Sequence, residues 1–316
     1  MKTAIAEKIS QARTIAISSH VRPDADSIGS GLALNLMLKQ MGKTTVYCNA
    51  DRAPHPINRL PGYADILIRQ IHPDPFDLVI LVEGGNEERT GQKNLKRYYS
   101  VNIDHHVTSS NDADINWVVP GAAAVGELVY ELGLAMNVFF SHDIAFNLYA
   151  AIASDTGSFK YSNTTAASLA IASTLANLGG FAPCQVSNLL FNSNPHEKIR
   201  MLTRVLSTLE LAADERVAMI DFQRSFLDRL SLKDIETEDV IAIARSIDSV
   251  QVLLFFKEIA DNYFRISIRS RDNFSARQIA QAFNGGGHQH AAGFFYRGDL
   301  ASAKKEILAL IRKQLT

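Results

Sequence analysis

The residues that most need a chemical reason are His20, Asp24 and Asp26, in the stretch Ser18-Ser19-His20-Val21-Arg22-Pro23-Asp24-Ala25-Asp26-Ser27-Ile28-Gly29-Ser30. One imidazole and two carboxylates fall within seven positions, after an apolar β-like run and before a helical pattern. Ligand-type side chains crowded at a strand end repel or desolvate one another unless positive charge sits among them. A divalent cation meets that need. Asp24 and Asp26 are read as facing two different ions, one carboxylate toward each. Either aspartate alone reads equally well as a helix cap or loop residue; a larger set of donors does not.

The elements that must position these groups supply that set. Thr14–Ser19 is a short β-branched run, Ile28–Met41 is apolar at helical spacing and closed by Gly42, and Thr44–Cys48 is a second strand. Strand, loop, helix, strand is the grammar of a parallel α/β sheet. Asp77–Val82 is a continuous apolar run, as in a buried parallel strand, and it ends in Glu83-Gly84-Gly85. Tyr98–Ile103 ends in Asp104-His105-His106. Three strands thus deliver acids or imidazoles at their carboxyl ends, the edge where open α/β sheets bind ligands. Helical patterns follow at Val125–Leu134, Ser141–Ala153, Thr165–Leu178 and Pro183–Leu190, with the polar turn Ser154-Asp155-Thr156-Gly157 among them. Adding Glu83, His105 and Asp155 provides enough oxygen and nitrogen donors for two adjacent cations. With no thiolate nearby, Mn²⁺ is favoured over structural zinc, with Mg²⁺ or Co²⁺ as substitutes. Two-metal hydrolases hold such ions ~3.5–4 Å apart and activate water between them.

At 316 residues the chain is long for a single core, so two domains are expected. The polar stretch Asn192–Lys198 is the boundary candidate: residues 1–191 form a metal-binding domain, 192–212 a helical linker with a helix over Ile199–Leu211, and 213–316 a second α/β domain. There, Val217–Asp221, Val250–Lys257 and Tyr263–Arg269 read as strands, and Ala276–Phe283 and Leu300–Leu315 as helices. Between those helices lies Gly285-Gly286-Gly287-His288. Three glycines allow positive φ and close approach of backbone amides to a ligand, where a helix cap needs only one. His288 then stands ready to bond a terminal phosphate or ribose.

The formal charge of −1 provides no basic field for gripping long nucleic acid but suits a small anionic substrate in a local pocket. Cys48 and Cys184 read as reduced core residues of a cytoplasmic protein. The charged N-terminal segment lacks a signal-peptide core, and no apolar run approaches the roughly 20 residues that span a bilayer.

His20-x3-Asp24-x-Asp26-x2-Gly29-Ser30, Asp104-His105-His106, Asp155-Thr156-Gly157 and Gly285-Gly286-Gly287-His288, in that order, resemble the motifs of DHH phosphoesterases with a C-terminal DHHA1 domain. The likeness is greatest to the short-oligonucleotide branch of nanoRNases and pAp phosphatases, and it spans nearly the whole chain. It implies a mainly parallel sheet flanked by helices, a smaller C-terminal α/β domain, and an active site in the cleft between them. It further implies a two-manganese centre, with His20 and Asp24 on one ion, Asp26, His105 and Asp155 on the other, and residue 83 bridging. His106 would stabilise charge or donate a proton over the substrate phosphate, Asp104 would orient a histidine, and Arg89 would contact phosphate or close the domains. Arg269, Ser270, Gly285, Gly286, Gly287 and His288 would hold the substrate end. The implied reactions are release of 5′-mononucleotides from short oligonucleotides and dinucleotides, and 3′-dephosphorylation of pAp. A homodimer is compatible with this reading.

Two departures stand out. The family has aspartate where this chain has Glu83; one methylene longer, glutamate still ligates but does not bridge with the same geometry. Ala122-Ala123-Ala124 replaces residues that tend to be hydroxylated. A family II inorganic pyrophosphatase would share the metal motifs but uses a lysine- and arginine-rich second-domain site. A RecJ-like long-strand exonuclease needs more basic surface. A nucleotide-binding regulator with a weakened centre stays open because of Glu83.

Overall fold

Alternating strands and helices fill the first half of the chain, and the reason is hydrophobic. The computed structural model describes residues 1–110, 112–227, 238–271 and 274–315, and it divides into two units, Met1–Ser193 and Asn194–Thr316. In the first unit a helix α1 (Lys2–Gln11) precedes six strands: β1 (Thr14–Ser19), β2 (Thr44–Asn49), β3 (Leu67–Ile68), β4 (Leu78–Val82), β5 (Ser100–Asp104) and β6 (Ile115–Val118). All pair in parallel, in the order β3-β2-β1-β4-β5-β6. The apolar run of β4 is buried on both faces. Ile80 and Val82 join the helix-covered core, while Val79 and Leu81 join a smaller cluster with Ala16, Cys48, Ile71 and Leu95.

The order places β1 at a switch point. From β1 the chain goes outward to β2 on one side and returns to β4 on the other. The carboxyl ends of β1 and β4 are therefore neighbours with no crossover between them, which opens a crevice there. Ser19 pairs with Val82, and Val82 with Ile103, so positions 20, 83 and 104 emerge side by side.

Helix α2 (Ala25–Gln40) leaves this edge and is buried almost all round. It packs against α4 (Val125–Ala135) and α5 (His142–Asp155), with the short α3 (Glu87–Thr90), α6 (Ala166–Gly179) and α7 (Pro183–Phe191) completing the unit. Contact between α2 and α5 is backbone-close: a Cβ on Gly29 would stand 2.6 Å from the Asn147 carbonyl oxygen. Among the described residues no single helix is long and apolar enough to cross a membrane. The bent pair α6–α7 reaches that composition only jointly, because no charged residue occurs from Tyr161 through Pro195.

The second unit is a six-stranded mixed sheet, β7 (Glu210–Ala212), β8 (Val217–Phe222), β9 (Val252–Ala260), β10 (Tyr263–Ser270), β11 (Gly286–Gly287) and β12 (Ala291–Arg297), ordered β11-β12-β10-β9-β8-β7. Only β8 and β9 run parallel. Helices α10 (Ala276–Ala282) and α11 (Leu300–Leu315) cover one face. On the other face α8 (His196–Leu206) and α9 (Glu238–Arg245) cover β8 and β9. The helix expected over Ile199–Leu211 is thus α8. It ends at Leu206 because Glu210–Ala212 pairs with β8, and its Met201, Leu202 and Val205 are buried in the second unit's core rather than serving a linker. Cys48 is buried as expected, but Cys184 is exposed in the first turn of α7.

Replacing Gly29 by alanine forces α2 away from α5 and is expected to cost about 1–3 kcal/mol in urea unfolding, the usual range for overpacking. Gly121→Ala, with nothing within 4 Å of its Cβ position, should stay within about 0.5 kcal/mol of wild type. Equal losses in the two variants would refute the backbone-close contact.

Candidate metal centre

Nine polar side chains converge where β1, β4 and β5 end, at α3 and where α5 stops. Asp24 caps α2: its carboxylate accepts from Ser27 N (2.9 Å), and Ser27 Oγ lies 3.2 Å from Asp24 N. Asp26, two residues into the helix, turns the other way and is fully buried. Its oxygens accept from Val125 N (2.6 Å) and Gly126 N (3.0 Å) at the start of α4, and from Ser30 Oγ (3.0 Å). The α4 N-cap position is Ala124, which has no side-chain oxygen, so Asp26 satisfies those amides from a distance in sequence. Alanine in place of a hydroxyl residue there is thereby compensated.

His20 and His105 are held alike. Nδ1 of His20 lies 2.8 Å from its neighbour's carbonyl, Val21 O, and Nδ1 of His105 lies 3.0 Å from Ala122 O. A carbonyl only accepts, so Nδ1 carries a proton in both rings and Nε2 is the nitrogen that faces the cluster, able to bind a cation once its own proton is displaced. Those Nε2 atoms face carboxylates: His20 lies 3.6 Å from Asp24 Oδ2 and 3.9 Å from Glu83 Oε2; His105 lies 3.5 Å from Glu83 Oε1 and 3.3 Å from Asp155 Oδ2.

Glu83 is the hub of these contacts. It is 1 % exposed and takes a left-handed backbone, φ +55, while its N–H still donates to Ile103 O at 2.9 Å. Non-glycine residues seldom adopt that φ, and the strain is of order 1–3 kcal/mol. Its Oε2 has no hydrogen-bond partner despite being buried.

Among the described residues, three sets of donor atoms lie within 4.8 Å of one another: His20, Asp24 and Glu83; Asp26, His105 and Asp155; and Glu83, His105 and His106. The chemistry fits divalent cations on two counts. Imidazole nitrogens and carboxylate oxygens are the right donors, and the orphaned Glu83 Oε2 is aimed into the cluster. The electrostatics agree. Burial, then the charges of Asp24 and Asp26, push Glu83 well above the usual carboxylate range, and burial with the same two charges lifts Asp155 to about 8. Asp26 is raised by burial and by Asp24. His105 rises to about 10: burial opposes its charge, but the hydrogen bond to Glu83 and the field of Asp26 prevail. Asp24 falls to about 2, since its contact with His20 outweighs burial.

His106 differs from the other two. Asp104, fully buried, accepts from His105 N (2.7 Å), His106 N (2.9 Å) and His106 Nδ1 (2.9 Å). Asp104 is held near 2 because its bond to His106 overcomes burial. Arg89 Nη2 lies 3.1 Å and 3.3 Å from the two ring nitrogens of His106. So the structure brings His20, Asp24, Asp26, Glu83, Asp104, His105, His106, Asp155 and Arg89 together, and leaves Glu87 and Glu88 exposed on α3.

In the second unit, Arg269 and Gly285–Gly287 line a cavity of about 670 Å³ together with Lys257, Arg265 and Ser267. Ser270 does not reach it: it is 2 % exposed and its Oγ donates to Phe274 O at 2.9 Å. Neighbours alternate faces along a strand, which puts Ser270 opposite Arg269. His288 is exposed outside the cavity lining, and its N–H closes the turn onto Ala291 O. Two of the three glycines have a packing reason. A Cβ on Gly285 would meet Gly293 O at 2.4 Å, and one on Gly287 would meet Ala291 O at 2.5 Å, whereas Gly286 is open. Lys257, Arg265 and Ser267 escaped the sequence reading. The period-two pattern Arg265-x-Ser267-x-Arg269 was the signal that could have revealed two of them.

The ionisation pattern has a stability consequence with one sign. Asp155 binds a proton more tightly folded than unfolded, so it destabilises the metal-free protein as pH rises from about 4 to 8. The His105 contribution is complete below about pH 6.5 and fades as pH climbs through 10. Asp24 and Asp104 matter only below about pH 4, where their stabilisation is lost. The melting temperature in EDTA should therefore fall from pH 6 to 9. Excess Mn²⁺ should flatten that slope, since ions displace the protons. A flat profile in EDTA would contradict the packing of these groups.

Comparison with known proteins agrees with the order of these features. Residues 14–152 match the DHH family, N-terminal domain, and residues 227–316 match the DHHA1 domain. The chain is 29% identical over 315 residues to the bifunctional oligoribonuclease and PAP phosphatase NrnA of Thermus thermophilus, covering 96% of this chain and 90% of that protein. It is 30% identical over 294 residues to the probable bifunctional oligoribonuclease and PAP phosphatase NrnA of Streptococcus mutans, covering 92% of each. An exopolyphosphatase-related protein from Bacteroides fragilis shares the fold, with a TM-score of 0.86 at 24% identity over 99% of this chain and 95% of that one. The chain belongs to the DHH/DHHA1 phosphoesterase family, in the branch of the NrnA proteins.

Proposed function

We propose that this chain is a cytoplasmic, divalent-metal-dependent phosphoesterase that cleaves short oligoribonucleotides to 5′-mononucleotides and converts pAp to AMP, with Mn²⁺ as the preferred ion. The observation that carries this reading is Glu83, a buried, strained carboxylate shared by two of the three donor sets at the strand ends. His20, Asp24, Asp26, Glu83, His105 and Asp155 would hold the ions, which supply charge neutralisation and a more acidic water when bound. Glu83 reaches toward both histidines with separate oxygens, which supports a working centre over a weakened one.

The chain's own residues do the rest. Asp104 fixes His106 with Nδ1–H toward itself, leaving Nε2 to hold or give a proton at the leaving oxygen. The guanidinium of Arg89 lies beside that ring and suits a phosphoryl oxygen bidentately. Arg269, Arg265 and Lys257 around the second-unit cavity suit a further phosphate of a nucleotide chain. A net charge of −1 fits a short substrate held locally rather than long nucleic acid.

The test is a substrate panel of di- to pentaribonucleotides, pAp, cyclic dinucleotide and pyrophosphate, each with Mn²⁺ and with Mg²⁺. Short RNA and pAp should be hydrolysed; hydrolysis of pyrophosphate alone would transfer the chain to the pyrophosphatase reading. His105→Ala and Asp155→Ala should each lower turnover by at least ~100-fold while the far-UV spectrum is retained. Arg269→Ala should raise KM about tenfold with kcat held, the signature of lost uniform binding. Wild-type KM would remove Arg269 from the substrate site.

A further inference from the structure

The segment that carries His20, Asp24 and Asp26 is a loop and a helix start, yet it is fixed at several points by residues of strand β2 and its following turn. Asn49, 1 % exposed, accepts from Ser19 N at 3.0 Å and donates Nδ2–H to Ser19 Oγ at 3.0 Å. The Tyr47 hydroxyl, also buried, donates to Ser27 O at 3.1 Å and lies 3.3 Å from Ser19 Oγ. Asp51 accepts from Arg22 N at 2.9 Å, and Arg22 itself has a left-handed φ of +52. Gly31 makes room for the phenol: a Cβ there would stand 2.4 Å from the Tyr47 oxygen.

Each tie falls beside a donor. Ser19 precedes His20. Ser27 is the residue whose N–H and hydroxyl hold Asp24, and it directly follows Asp26. Tyr47, Ser19 and Asn49 bridge backbone groups at both ends of the segment through buried, partnered polar atoms. In such a low-dielectric place a hydrogen-bonded network is rigid, and a missing member leaves another group unsatisfied. An apolar residue of similar size would fill the space beneath α2 just as well. The phenol hydroxyl and the carboxamide are explained by what they hold.

We propose that Tyr47, with Asn49 and Ser19, is a positioning residue of the metal centre, setting the spacing of His20 from Asp24 and Asp26 and so the ion affinity of that half of the site. This rests on the reading of His20, Asp24 and Asp26 as ion donors. None of the three belongs to the motifs that identify the family. The hydroxyl of Tyr47 bonds Ser19 and Ser27, and it acts on the donors through them.

The experiment is calorimetric titration of the metal-free, full-length protein with Mn²⁺, for wild type, Tyr47→Phe, Ser19→Ala and Thr45→Val. Thr45 lies on the same strand and donates to Asn35 Oδ1 at 2.6 Å, so its variant breaks a β2–α2 hydrogen bond away from the donor segment. Tyr47→Phe and Ser19→Ala should each weaken ion binding about tenfold, as loss of groups supporting metal ligands commonly does. Thr45→Val should lower the melting temperature to a similar extent while keeping wild-type ion affinity. Wild-type affinity in Tyr47→Phe overturns the proposal, and so does an equal affinity loss in Thr45→Val, which would make the effect one of general stability. If wild type itself takes up no Mn²⁺, the metal-centre reading fails and the proposal with it. If wild type binds and Tyr47→Phe matches it, only the proposal fails.

Discussion

Like-charge crowding is the constraint on which the first unit is built. Asp24, Asp26, Glu83 and Asp155 share one small region of a partly buried sheet edge. Two unit charges 4 Å apart repel by about 4 kcal/mol at the effective dielectric of a protein near its surface. A chain free to relax would let such groups part. Here each is anchored by something that relaxation would break: Asp24 by the cap of α2, Asp26 by the amides that open α4, Glu83 by its place in the β4–β5 ladder, and Asp155 by the end of α5. The residual repulsion survives as the upward displacement of Glu83, Asp26 and Asp155.

The sheet order makes that anchoring economical. Because β1 lies between β2 and β4, donors from two separated parts of the sequence arrive on adjacent strands with nothing crossing between them. Helix α2 then serves twice, exposing Asp24 at its cap and driving Asp26 into the start of α4. Glycine at position 29 lets α2 lie close enough to α5 for Asp155, at the far end of that helix, to reach the same cluster.

Much of this was legible in the residues because strand ends and ligand types coincide. A fully buried parallel strand is a continuous apolar run, and the first polar residue after it marks the binding edge; Glu83 and Asp104–His106 were read that way. The cavity residues Lys257 and Arg265 were less visible, since a charged residue in a strand is ordinarily a solvated one. Only the uncovered half of the second sheet gives them a shared face. Ser270 and His288 were read from adjacency, and adjacency misleads in strands and turns, where successive side chains diverge. Tyr47 and Asn49 were invisible because their significance lies in the β1–β2 register, which places Tyr47 beside Ile17 and so under α2.

Glu83, the departure from the family pattern, leaves β4 on a left-handed backbone. A longer side chain on an unchanged backbone would push its carboxylate past the position an aspartate fills. The left-handed φ at residue 83 redirects the side chain at the moment it leaves the strand, and the buried Gly84-Gly85 that follow tolerate the resulting turn. The hydrogen bond from Glu83 N to Ile103 O keeps β4 in register, so the adjustment does not propagate into the sheet. The carboxylate oxygens of Glu83 lie within 4 Å of both His20 and His105, so the longer side chain still reaches both imidazoles. Strain of that size persists only where the surroundings over-determine the residue, and here the ladder bond to Ile103 and the buried glycines that follow hold Glu83 with an unpartnered Oε2 turned toward groups that could share a cation.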